Sequence, residues 1–214
     1  MLTRVLCLVI GYVFGLFQTS YIYGKMNGID IRSHGSGNAG ATNALRTLGA
    51  KAGVISFFGD ALKCVFAMSF VRILFAGSYG DVLPVLVMYT GTGVILGHNF
   101  PFYLRFKGGK GIAATGGLIF STNLLLALIC AVLFAGVFVT THYVSIGSML
   151  VYAAFAVGMV ILGENGFLGV TDRSNLTEIY VLVGFLTILA VWKHRQNIVR
   201  LLHGNENKTY FKKK

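Results

Sequence analysis

The chain has 214 residues, 55% of them hydrophobic and 12% charged, with a formal net charge of +11 and a mean hydropathy of +0.73. A soluble domain carries about 25% charged residues, so the composition excludes an ordinary water-soluble protein and indicates an integral membrane protein. Cys7, Cys64 and Cys130 stand apart in apolar runs, which argues against a disulfide or metal framework and for small buried thiols.

Residues 5–23 carry no charge, and about 20 apolar residues suffice to cross the hydrocarbon. Arg4 ahead of an apolar stretch is also how a signal peptide begins. No A-x-A-like cleavage site follows, so the stretch is read as the first span. Next comes SHGSGNAGATNALRTLG at 33–49. Gly35, Gly37 and Gly40 permit positive φ and close backbone approach. Ser36, Asn38, Thr42 and Asn43 offer hydroxyl and amide donors, and Arg46 a bidentate fork for phosphate. A glycine-rich turn running into a helix aims free N–H groups at an anion. The alternative is a small-residue packing motif, against which two Asn and an Arg weigh.

The second span, about 52–76, carries Asp60, Lys63 and Arg72. A charge at the centre of a span costs about 2.5–3.5 kcal/mol on insertion scales. Asp60 and Lys63 lie three apart on one helix face and can pair, either as a structural ion pair or as a brace beneath a polar site. A third span, 83–100, leads into GHNFPFYLRFKGGKG at 97–111. Here Gly108, Gly109, Lys110 and Gly111 again combine flexible backbone with a cation. The pattern is no Walker A loop, since Leu104 stands where its first Gly belongs and Gly111 follows Lys110. Alone, it could be a basic headgroup contact, with His98 and Asn99 as capping groups.

Residues 111–141 are too long for one ordinary span and short for two. Ser121-Thr122-Asn123 reads as a turn, giving a short helix at about 112–121 and a full one at about 124–141. Spans at 144–163 and 179–192 follow. In the last segment, WKHRQNIVRLLHGNENK at 192–208, His194 and Asn197 share a helix face, as do Asn197 and Arg200. Lys212, Lys213 and Lys214 read as a solvated, lipid-anchoring tail.

Most of the eighteen Lys and Arg residues fall after the first span, after the third and after the last. The positive-inside rule places all three segments in the cytoplasm. The expectation is a single all-α membrane domain over 1–214 with seven transmembrane helices, N-terminus outside, C-terminus cytoplasmic and Gly-rich cytoplasmic loops. A short helix is tolerable only against protein or a polar cavity. Together the three segments fit recognition of phosphate-bearing substrates at the membrane surface. An anion transporter remains an alternative, although no inverted repeat is visible.

The motifs Asp30-Ile31-Arg32, GSGNAGATN at 35–43 with Arg46 and Gly49, Asp60 with Lys63, GHNFP at 97–101, FKGGKG at 106–111, YVSIGS at 143–148, and HR.NI.RLL.G.E from 194 to 206 occur in this order. In that combination the chain resembles the bacterial acyl-phosphate:glycerol-3-phosphate acyltransferases, the PlsY family. It departs at Ile22, where many relatives have Pro, at Ala114, where many have Thr, and at Gln196 and Asn205, where Glu and Thr are common.

The resemblance implies a multi-pass enzyme of the bacterial inner membrane whose site faces the cytoplasm. It moves a fatty acyl group from acyl-phosphate to the 1-hydroxyl of sn-glycerol 3-phosphate, giving lysophosphatidic acid and phosphate. This is the first acylation of phospholipid synthesis. Membrane lipid is its surroundings, and functional coupling to the enzyme that makes acyl-phosphate is implied. No cofactor, metal or nucleic acid is. Carried over by motif, Ser36, Arg46, Lys110 and His194 are catalytic. Asn38, Gly40, Thr42, Asn43, Gly108, Gly109, Gly111, Ser145 and Asn197 bind substrate. Asp60, Lys63 and Glu206 are structural.

Acyl-phosphate is already electrophilic, so alignment and charge stabilisation are the main demands. Arg46 and Lys110 are expected to offset phosphate charge, and His194 and Asn197 to hold a substrate phosphate. No H-x4-D pattern and no Ser–His–Asp arrangement is legible. A substrate phosphate oxygen is the expected proton acceptor, without an acyl-enzyme, and His194 is the alternative base.

Overall fold

The structure is a computed structural model that describes residues 1–210, so Lys212, Lys213 and Lys214 of the expected anchoring tail lie outside the described residues. Among the described residues ten α-helices follow in order: α1 (Leu2–Gly15), α2 (Thr19–Met26), α3 (Ala41–Leu48), α4 (Ala50–Phe75), α5 (Leu83–Asn99), α6 (Ile112–Thr122), α7 (Leu124–Thr141), α8 (Val144–Glu164), α9 (Arg173–Lys193) and α10 (Arg195–Leu202). Six stretches are long and apolar enough to cross a membrane, counting 2–26 as one, and Ile112–Thr122 is a shorter apolar helix.

The first span departs from the expected unbroken helix: α1 stops at Gly15 and α2 starts at Thr19. A helix end inside a membrane strands backbone carbonyls. Here buried side chains meet them. The Lys63 ammonium donates to Phe17 O at 2.6 Å and Gly15 O at 3.3 Å. Gln18 Nε2 donates to His98 O at 3.0 Å and Gly15 O at 3.2 Å. Lys63 also reaches Asp60 at 2.9 Å, which Thr19 Oγ1 approaches at 3.2 Å. The Asp60–Lys63 pair is therefore more than self-neutralising, because it braces the break.

The second break lies at Asn123, inside the turn read from Ser121-Thr122-Asn123. Asn123 ends α6 and caps α7, its Oδ1 accepting from Leu126 N at 2.9 Å. Arg72, at the far end of α4, donates to Ser121 O at 2.5 Å. A cation at the C-terminus of a short helix also suits the helix dipole.

The tightest helix pair is α1 on α5. Gly11 and Gly15 of α1 face Gly93 and Gly97 of α5, and a Cβ on any of the four would run into a carbonyl oxygen of the opposite helix. Small residues at a crossing let two backbones touch, which is how membrane helices gain packing without a hydrophobic drive. Gly93→Val should therefore force the pair apart and cost about 1–3 kcal/mol, the range for overpacking. Gly184, with nothing within 4 Å of its Cβ position, is the control. Thermal midpoints in one detergent compare them, and equal losses for Gly93→Val and Gly184→Val would refute the seam.

Helix α6 packs on α4, α5 and α7, while α7 is otherwise covered by α8. Phe57 and Phe58 of α4 and Leu124 and Leu128 of α7 stay exposed beside α6.

Candidate active site

Three segments distant in sequence border one cavity of about 680 Å³. They are the connection before α3 with α3 itself, the loop before α6, and the stretch from His194 to Glu206.

In the first segment, Asp30 Oδ1 accepts from Arg32 N at 3.0 Å, and its carboxylate pairs with the Arg32 guanidinium at 2.7 Å. The side-chain hydrogen bond from Arg32 holds the Asp30 carboxyl at about 2. Asn43 then folds the loop: its Oδ1 accepts from Ser36 N at 2.9 Å, and its Nδ2 donates to Ile31 O at 2.9 Å and His34 O at 3.0 Å. The Asn43 amide thus builds the loop, and Asn43 itself lines the cavity. Ser36, Asn38 and Thr42 line the cavity, and among the described residues their side chains have no hydrogen-bond partner. Gly40 precedes α3 without a side-chain cap, which leaves first-turn N–H groups at the cavity wall.

In the second segment, Gly108 N donates to Asn99 O at 3.3 Å and Gly109 N to His98 O at 3.0 Å. A Cβ on Gly109 would collide with the His98 imidazole, and one on Gly108 with the His98 carbonyl. These two glycines, expected to bind substrate, allow the loop to lie flat on 98–101, and their N–H groups are already engaged. Gly111, with φ +83°, turns the chain into α6, whose N-terminus also lacks a side-chain cap; Gly111, Ile112 and Ala113 line the cavity. Two uncapped helix N-termini therefore border one space, an arrangement suited to anions. Lys110 stands beside the second, and burial, then nearby Arg200, lower its pKa from 10.5 to about 8.

In the third segment, His194 is 3% exposed. Its Nδ1 lies 2.8 Å from Ala190 O, and a carbonyl can only accept, so Nδ1 carries the proton. Burial, then Lys110, lower the imidazole pKa to about 4. At neutral pH the ring is uncharged and Nε2 is an acceptor. Nε2 has no hydrogen-bond partner among the described residues, and His194 lines the cavity. Asn197 also lines the cavity; Lys110 Nζ donates to its Oδ1, and its Nδ2 donates to Glu206 at 2.6 Å. It aims Lys110. Glu206 Oε1 also accepts from Ser145 Oγ at 3.0 Å, and Oε2 from Arg200 Nε at 2.7 Å. Burial raises the Glu206 pKa, but hydrogen bonds from Asn197, Arg200 and Ser145 outweigh it and hold the pKa below its ordinary value.

Arg46 donates through Nε to Thr209 Oγ1 at 2.9 Å and through Nη2 to Asn207 O at 2.9 Å. Its pKa is lowered by burial. Arg46, Lys110 and Arg200 thus face a single carboxylate, Glu206, and the cavity head carries surplus positive charge. Sequence reasoning missed two residues here. His98, which reads as a capping group, lies on the cavity wall, and Thr209 lies beyond the last segment singled out in the sequence. Among the described residues, no group of three or more His, Cys, Asp and Glu could hold a metal ion.

The rest of the cavity is apolar. Phe57, Phe58 and Leu62 of α4, Phe120 of α6, and Leu124 and Leu128 of α7 line it and are exposed on the outside of the helix bundle.

The family model described as Glycerol-3-phosphate acyltransferase matches residues 5–204. A glycerol-3-phosphate acyltransferase of Clostridioides difficile (strain 630) is 39% identical over 207 residues, covering 96% of this chain and 95% of that protein. One from Thermoanaerobacter sp. (strain X514) is 40% identical over 205 residues, covering 95% and 94%. Among solved structures, PlsY, an integral membrane glycerol 3-phosphate acyltransferase, in its glycerol 3-phosphate form superposes with a TM-score of 0.81 at 30% identity, over 97% of this chain and 96% of that one. Its lysophosphatidic acid form gives 0.78 with the same identity and coverage. Matched along nearly its whole length in sequence and in fold, the chain belongs to the glycerol-3-phosphate acyltransferase family.

Proposed function

We propose that the acyl donor is acyl-phosphate, that the acceptor is the 1-hydroxyl of sn-glycerol 3-phosphate, and that the products are 1-acyl-glycerol 3-phosphate and inorganic phosphate. The reaction runs at the cytoplasmic face of the bacterial inner membrane, the side on which the positive-inside rule puts the three basic segments. The carrying observation is the division of one cavity into a cationic head with two helix N-termini and an apolar groove open between α4 and α7. Two phosphates suit the head, and a fatty chain suits the groove.

In this reading Lys110 and Arg46 offset phosphate charge and stabilise the oxyanion that forms as the hydroxyl oxygen attacks the carbonyl carbon. The C–O bond to phosphate then breaks. Ser36 and Thr42 supply hydroxyls to the substrate phosphates. His194 Nε2 accepts a hydrogen bond from the attacking hydroxyl and aligns it. The proton ends on phosphate rather than on His194, since a phosphate with a second pKa of about 6 is a stronger base than an imidazole at about 4. No acyl-enzyme forms.

The test supplies palmitoyl-phosphate and glycerol 3-phosphate to the purified protein in lipid and measures released phosphate and lysophosphatidic acid together. Equal amounts of both are expected. Turnover with palmitoyl-CoA and none with palmitoyl-phosphate would overturn the donor, and a trapped acyl-Ser36 or acyl-Ser145 the direct transfer.

A further inference from the structure

The family match ends at residue 204, yet the chain beyond it is woven into the cavity head. Glu206 is tied to Ser145, Asn197 and Arg200. Three residues on, Thr209 N donates to His142 O at 2.9 Å. His142 ends α7 in a left-handed turn with φ +61°, and its ring lies 4.6 Å from that of Tyr210. Residues 206–209 therefore form a strap from α10 to the α7–α8 turn, and between its two anchors it meets Arg46.

Among the described residues, every hydrogen-bond partner of Arg46 belongs to this strap. Thr209 Oγ1 accepts hydrogen bonds from Nε at 2.9 Å and from Nη2, and Asn207 O accepts the other Nη2 hydrogen bond. A guanidinium carries five N–H donors in a rigid plane. Three are held by the strap, and the two on Nη1 have no partner among the described residues. Thr209 is 1% exposed, so its hydroxyl is no incidental surface contact. The chemistry of the holding groups matters too. A carboxylate in their place would neutralise Arg46, whereas a hydroxyl and a carbonyl are neutral dipoles that orient the cation and leave its charge for an anion.

We infer that Thr209 is a positioning residue for Arg46, and that the strap at 206–209 is a working part of the active site. The inference rests on the proposed role of Arg46 at a substrate phosphate. It holds whichever of the two phosphates that is.

The experiment compares wild type, Thr209→Val, Thr209→Ser, Arg46→Ala and the Arg46→Ala/Thr209→Val double variant, each as the full chain in the same lipid. Glycerol 3-phosphate and palmitoyl-phosphate are titrated separately, and thermal midpoints are recorded. Thr209→Val should raise the KM of one of the two substrates about tenfold or more, as expected for losing a hydrogen bond to a charged group, with an unchanged midpoint. Thr209→Ser should restore the wild-type KM. In the Arg46→Ala background Thr209→Val should add less than about twofold, since the two residues act as one unit. A Thr209→Val enzyme that behaves as wild type would overturn the inference. So would a tenfold effect that persists without Arg46, or equal damage from Val and Ser with a lowered midpoint. If wild type turns over only with another donor, the donor reading fails by itself. The same variants are then compared by calorimetric binding of glycerol 3-phosphate and of inorganic phosphate, where equal affinity of Thr209→Val and wild type for both would sink the inference.

Discussion

Lys110→Ala should lower kcat/KM for glycerol 3-phosphate by about 10²–10³-fold, the loss that follows removal of one preorganised donor from a charge-developing site. The ammonium stands at the uncapped start of α6, aimed by Asn197, which Glu206 in turn holds. Its burial also gives the rate a pH signature. The free-enzyme pKa of Lys110 is about 8, and kcat/KM reports free-enzyme ionisations. The charged form is needed, so the rate should fall as pH rises through that value, apart from the acid-side fall as the substrate phosphates gain their second proton at about pH 6. Lys110→Arg should retain part of the activity and remove the alkaline fall, because a guanidinium stays protonated there. The pH profiles of wild type and Lys110→Arg decide it. An alkaline fall common to both would assign the ionisation to another group. For stability the sign is opposite: the lowered lysine pKa means the unfolded chain binds more protons above about pH 8, so the cost of burying this charge is relieved there.

The second large effect concerns the brace in the first span. Asp60 and Lys63 are 1% and 5% exposed. Removing one member of a buried pair strands the other charge and costs about 3–5 kcal/mol. Lys63→Ala and Asp60→Ala should both show it as a large drop in thermal midpoint. The informative variant is the double replacement Asp60→Leu/Lys63→Met. An apolar pair often replaces an isolated buried ion pair without loss. Here Lys63 also serves the carbonyls of Gly15 and Phe17, and an orphaned buried acceptor costs about 1–3 kcal/mol. The double variant should therefore stay destabilised. A midpoint equal to wild type would reduce the pair to mutual neutralisation.

What could be read from the sequence divides along a physical line. The break at Asn123 was legible because its causes are local: a Ser-Thr-Asn turn inside an over-long apolar run, with the placement of charge requiring one more crossing. The break after Gly15 was not, because residues 5–23 are uniformly uncharged and Lys63, which donates to its carbonyls, and the His98 carbonyl, which accepts from Gln18, arrive from elsewhere in the chain. The site shows the same division. Residue types placed Ser36, Asn38, Thr42, Arg46, Lys110 and His194 on one cavity. They could not tell that the Asn43 amide also holds a loop and the Asn197 amide a lysine, since an amide donates and accepts alike and only the fold supplies its partner. Thr209 was hidden for a related reason: a polar residue in a basic tail looks solvated until the fold brings Arg46 to it.

The lateral opening between α4 and α7 has a kinetic meaning. On the proposed reading, a donor that slides in from the bilayer is measured by its mole fraction among the lipids, while glycerol 3-phosphate is measured by its molarity in water. The enzyme then reads two concentrations on two different scales. Its output can change with the composition of the membrane around it while every soluble metabolite stays constant.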